Sequence, residues 1–94
     1  MIGPELVSTF SLLQRAFPHP LADAEYYALL TLLFPAMSNR GLATVVSEFT
    51  GRDYGVVLND VLKSASGVPP DSRALEVVRT MLDRAGFQAW LTEE

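Results

Sequence analysis

The sequence predicts an all-α fold: a compact single-domain bundle of about five short helices, with the second helix at its centre. Three observations carry this reading. Apolar residues recur at helical spacing, most cleanly as Leu42, Val45, Val46 and Phe49 at i, i+3, i+4 and i+7. No stretch alternates apolar with polar residues as a half-buried strand does, and no repeating unit is visible. Helix breakers fall between the periodic stretches, at Pro18-His19-Pro20, at Gly51 and across "SASGVPP" from Ser64 to Pro70.

Helix one is expected over residues 4–17. Pro4 suits a first turn, where no backbone donor is lost, and Leu6, Phe10, Leu13 and Phe17 make one stripe. The two prolines at 18 and 20 stop it, because each lacks a donor and pushes its predecessor towards extended backbone.

Helix two is expected over residues 23–34, with Asp23 as its cap or in its first turn and Glu25 where the helix dipole favours a negative charge. The stretch "YYALLTLLFPAM", residues 26–37, contains no charge and invites comparison with a membrane span. It supplies about a dozen apolar residues before Ser38, whereas a span needs roughly 20. A helix apolar nearly all round and this short belongs in a core, and Pro35 breaks or kinks it near its end.

Ser38 is placed to cap helix three, residues 39–50, and Gly51 to end it in the left-handed conformation. Asp53 caps helix four, residues 54–65, whose inner stripe is expected to be Val57, Leu58, Val61, Leu62 and Ala65 despite the weak helix propensity of "GVV" at 55–57. Asp71 caps helix five, residues 72–85. Leu75, Val78, Leu82 and Ala85 face inward there, Glu76, Arg79 and Asp83 face water, and Gly86 is the stop. A tail over residues 87–94 carries Phe87, Trp90 and Leu91. Because the links are short, consecutive helices are expected to be spatial neighbours.

Composition narrows function mainly by exclusion. With 94 residues there is room for one domain, and seven Lys plus Arg against eleven Asp plus Glu give a net charge of −4. That balance disfavours nucleic acid and anionic membrane surfaces as partners. The absence of cysteine rules out disulfides, thiolate chemistry and Cys-ligated metals. "MIGPE" lacks the basic start and apolar run of a secretory signal, so a cytoplasmic location is expected.

Taken in order, "LLQRAFPHPLADAEYYALLTLL", "MSNRGLATVVSEF", "DYGVVLNDVL" and "LEVVRTMLDRAGF" resemble the actinobacterial domain-of-unknown-function family 3349, small mycobacterial proteins, over roughly residues 12–91. The markers are Arg15, Ala16, Pro18, Asp23, Leu29, Leu30, Ser38, Asp53, Gly55, Val56, Pro70, Glu76, Val78, Arg79, Leu82 and Gly86. The chain departs from the pattern at Pro35 and from Asn39 to Gly41, where that family has more polar, basic or acidic residues. The resemblance implies a small helical fold in an actinobacterial cytoplasm and transfers no activity.

No residue pattern points to catalysis. His19 lies between prolines with no orienting partner in sequence, and reads as a loop residue. Asp23 and Glu25, two apart, point to different faces, while Asp53 and Asp60 are two helical turns apart and read as a cap and a solvated carboxylate. None of the serines stands in a nucleophile elbow, and no glycine opens a phosphate loop. The sequence indicates no metal, cofactor or small-molecule ligand.

The surplus of apolar residues is the functional hint. Val56, Val77, Met81, Phe87, Trp90 and Leu91 are candidates for an interaction surface, with Trp90 and Leu91 either part of that surface or folded back to close the core. The resulting expectation is a non-enzymatic protein-interaction module that binds another protein or forms a homodimer through helices four and five. The alternative is a DNA-binding adaptor that uses helices three and four as a helix-turn-helix, with Arg52 and Lys63 opposed by Asp53 and Asp60.

Overall fold

Side-chain caps start three helices at the residues where the sequence places them. In the computed structural model, which describes residues 6–66 and 71–92, Ser38 Oγ accepts from the Gly41 N–H at 3.0 Å. Asp53 Oδ2 accepts from Val56, and Asp71 Oδ2 from Ala74, each at 3.2 Å. Each cap satisfies a first-turn donor that the helix itself leaves open, worth about 1 kcal/mol. The elements are α1 (Val7–Ala16), α2 (Asp23–Leu33), α3 (Asn39–Thr50), α4 (Tyr54–Ala65), α5 (Ser72–Arg84) and α6 (Phe87–Leu91). The described residues contain no strand, and none of their helices is long and apolar enough to cross a membrane.

Helix ends follow the same local chemistry. Gly51 ends α3 at φ 76° and Gly86 separates α5 from α6 at φ 101°, conformations that a residue with a Cβ takes only under strain. Pro35 ends α2 at Leu33 and holds a single 3₁₀ turn, Phe34–Ala36. Asp23 lies in the first turn of α2, one of the two places expected for it, and is not the cap. That position belongs to Ala22, whose N–H donates to Glu25 Oε1 at 2.9 Å, half of a capping box, and the Asp23 carboxylate turns instead to Arg52.

The core contains Leu12, Leu13 and Phe17 from α1 and its end, Leu29, Leu30 and Leu33 from α2, and Leu42, Val45 and Val46 from α3. Val57 and Val61 of α4, Val78 and Leu82 of α5, and Phe87 of α6 complete it. Phe10 meets Phe49 edge-on with centroids 6.1 Å apart, tying α1 to α3. The principal pairings are α3 with α4 and α2 with α5; α2 also packs on α4, and α1 lies across α3, α5 and α6.

Four expectations are corrected. Helix α2 takes α4 and α5 as its main partners rather than its chain neighbour α1, because the proline-held segment after Phe17 favours extended backbone over a tight reversal. The buried residues of α1 are Thr9, Leu12, Leu13 and Ala16, a stripe rotated from the expected one, so Leu6 and Phe10 are only half-buried; Pro4 lies outside the described residues. On α4, Leu62 and Ala65 are exposed, because Val57 and Val61 set the inner direction and Leu62 stands about 100° round from Val61. The tail contains a further short helix, α6, making six helices among the described residues.

The fifth correction concerns charge. Asp60, expected in solvent, is only 6% exposed and accepts a hydrogen bond from the Tyr26 hydroxyl at 2.7 Å. The Arg52 guanidinium lies over the Tyr26 ring, 4.0 Å from its centroid, and donates to Asp23 Oδ1 at 3.0 Å. Burial, then the bond to Asp60 and its nearby charge, hold the Tyr26 phenol well above its ordinary pKa of 10.0, with Arg52 opposing the shift.

Two substitutions and an alkaline pH series test this packing. Leu30→Ala should lower unfolding free energy by about 2–5 kcal/mol in chemical denaturation, because a fully buried side chain of α2 is lost. Tyr26→Phe should cost about 1–3 kcal/mol at neutral pH by leaving Asp60 without its donor. Above about pH 10 the unfolded phenol ionises while the folded one keeps its proton, so unfolding releases a proton. Wild-type stability should then fall by up to about 1.4 kcal/mol per pH unit from this group. Denaturation curves at stepped alkaline pH should show that component missing from Tyr26→Phe.

Candidate interaction surface

The outer side of α4 carries little charge and exposes two branched apolar side chains. With Val57, Asp60 and Val61 facing the core, helical geometry turns Gly55, Val56, Asn59, Leu62 and Lys63 outward. Val56 is 53% and Leu62 50% exposed, Tyr54 is exposed at the start of the helix, and Lys63 is the only charge on this side. Gly55 has no Cβ to raise the surface between them. A partner covering this face would desolvate branched apolar side chains with one charge to accommodate.

The expected surface residues separate into two groups. Val56 and Val77 are exposed, Leu91 is exposed on α6, and Met81 is half-buried on α5. Phe87, at 9% exposure, belongs to the core, so it leaves the candidate surface. The cause is Gly86: its left-handed backbone turns the chain after α5, and α6 packs on α1 and α5.

Trp90 also turns inward. Its ring stacks on Phe87 at 5.7 Å with 16° between planes, and Nε1 donates to Thr9 Oγ1 at 3.0 Å. Thr9 is a buried hydroxyl of α1, so the indole supplies both apolar cover and a partner that the hydroxyl needs. The half-buried ring therefore closes the bundle between its first and last helices.

Leu62 and Tyr54 were missed as surface residues. The signal for Leu62 was present in the angular distance from Val61, but the apolar arc of α4 is wide enough to hide it. Depressions lie beside these surfaces. One, of about 300 Å³, lies beside the α1–α2 link and is lined by Phe17, His19, Leu21, Phe49, Thr50 and Arg52, so His19 sits at its rim without a carboxylate partner among the described residues. Two more lie along α5 and between α5 and the end of α1. Arg52, one of two cations that the helix-turn-helix reading relies on, is engaged by Asp23 and the Tyr26 ring.

Comparison with models of protein families, with curated proteins and with solved structures finds no match to this chain. The roles of these surfaces rest on their own chemistry.

Replacing Trp90 by Phe should cost about 0.5–1.5 kcal/mol by removing the indole donor while keeping an aromatic ring on Phe87. Combined with Thr9→Val, which removes the orphaned hydroxyl, the loss should be smaller than the sum of the two single losses. Urea denaturation followed by circular dichroism measures this coupling; additive losses would show that the bond contributes nothing to stability.

Proposed function

We propose that this chain is a cytoplasmic protein-interaction module without chemistry of its own, binding through the outer face of α4, with a second copy of itself as the first partner to test. The observation that carries the reading is that face: Val56 and Leu62 exposed on its two flanks, about 120° apart round the helix, and Lys63 the single charge among the outward residues of α4. Self-pairing of such a face avoids the repulsion that most of an acidic surface would impose on two identical copies. The same helix is firmly seated, since its cap, Val57, Val61 and Asp60 are all engaged in the fold. Membership of family 3349 is part of the proposal and adds no activity to it.

A second reading has one observation in its favour. Helices α3 and α4 form the most extensive pair and are joined by the three-residue turn Gly51-Arg52-Asp53, an arrangement that resembles a helix-turn-helix. Against it, α4 offers one cation to a phosphate backbone.

Light scattering across a dilution series should give a mass that rises with concentration, and Leu62→Glu should return the protein to a monomer while leaving thermal unfolding within about 0.5 kcal/mol of wild type. Salt-sensitive retention on duplex DNA, lost in Lys63→Glu, would replace the interaction reading with the helix-turn-helix one.

A further inference from the structure

The cationic side chains of this acidic protein are not spread evenly. Of its seven Lys and Arg residues, Arg73, Arg79 and Arg84 lie on α5 and Arg15 at the end of α1, which packs against α5. Arg15 and Arg84 line one depression of about 320 Å³ together with Ala16, Met81 and Ala85. Met81 and Arg84 also line a wider and shallower one with Val77, Thr80 and Arg79, so the two adjoin at these side chains. Glu76 is the one acid bordering them.

Helical geometry orders this surface. Arg73, Val77 and Arg84 stand within about 40° of one another around α5, and Met81 follows beside them. Arg73 and Arg84 are about 16 Å apart along the axis, with Val77 and Met81 between them. Asp83 and Glu76 lie round to the other side of Arg73.

The arginines are available. Arg52 is held by Asp23, whereas among the described residues no carboxylate lies within 4.0 Å of the charged groups of Arg15, Arg73, Arg79 or Arg84. Arg15 is fixed in place, because its Nε donates to the Ala85 carbonyl at 3.1 Å, which leaves its terminal nitrogens for another acceptor. Arg15 and Arg84 also complement the negative ends of their helices, a weak interaction that uses none of the remaining donors.

Resting on the reading of this chain as an interaction module, we propose that the Arg73–Val77–Met81–Arg84 row, extended by Arg15, docks an acidic amphipathic helix of a partner protein. The charge pattern selects that occupant. Two apolar side chains a helical turn apart would cover Val77 and Met81, and carboxylates on the flanking turns would meet Arg73 at one end and Arg84 with Arg15 at the other. Met81 suits this role because an unbranched thioether adapts to the shape set against it. A second copy would not supply the match, since its own copy of this face brings arginines to arginines.

The test uses the full chain and a fluorescein-labelled, helix-favouring peptide of about 16 residues, with two leucines four positions apart and glutamates on the flanking turns. Fluorescence anisotropy should show saturable binding that weakens as salt is raised, and that weakens about tenfold or more in Arg73→Glu/Arg84→Glu. Both residues are exposed, so the variant should unfold at the same denaturant concentration as wild type. The reversed protein should instead bind the peptide in which lysines replace the glutamates, a gain that a misfolded variant would not produce. Equal binding of both peptides by wild type, or binding indifferent to the reversal, would overturn the proposal. Absence of binding up to the solubility limit would do the same, as would tighter, reversal-sensitive binding of duplex DNA than of the acidic peptide. Light scattering of wild type and Leu62→Glu, run on the same preparations, reports on the α4 face separately, so a failed peptide test leaves that reading standing or falling on its own result.

Discussion

The hydrogen bond from Tyr26 to Asp60 governs how α2 and α4 meet, and much of the remaining arrangement depends on it. A carboxylate placed among core valines is costly unless a donor reaches it, and Tyr26 supplies that donor from a ring that is itself fully buried. Since Asp60 lies between Val57 and Val61 in sequence, satisfying it fixes the rotation of α4 about its own axis. Arg52 closes over a face of the same ring and is steadied by Asp23, so the turn before α4 and the first turn of α2 are tied to one pair of residues. The rotation that buries Asp60 is also the rotation that turns Val56 and Leu62 outward. The exposed apolar face is a geometric consequence of how the buried carboxylate is satisfied.

What was legible in the sequence was local. Ser38, Asp53 and Asp71 read as caps because a cap is decided within three residues, and Gly51 and Gly86 read as stops because the left-handed conformation favours glycine. Pro35 ended its helix for an equally local reason. The face of α4 was not legible. Its apolar residues span an arc that permits two rotations, and Asp60 read as a mark of the wet side when it marks the buried one. The pairing of α2 with α4 and α5 was hidden for a related reason, since the order of helices in space is set by contacts between residues far apart in sequence. Phe87 and Trp90 looked like surplus because Thr9, the group that uses the indole, lies 81 residues away.

The candidate surfaces divide the same way. Val56 and Val77 were visible as second members of valine pairs where one stripe position was needed. The basic row joins α5 to Arg15, and its extension from one helix to the other exists only after folding brings Ala85 against the Arg15 guanidinium. The two faces ask different things of a partner. The α4 face rewards shape and the release of water from branched side chains, with almost no charge to match. The α5 row adds a directional charge pattern, which discriminates among partners by repelling those with the wrong sign.

The closure of α6 onto α1 bears on how the chain acquires its structure during synthesis. The hydroxyl of Thr9 is made well before the indole that satisfies it, which lies 81 residues further along the chain. Until α6 has been made, α1 can rest on α3 but lacks the apolar cover and the indole donor that α6 brings to Thr9. The bundle therefore stays open on this flank until α6 has been made, and a helix synthesised later seals one synthesised earlier.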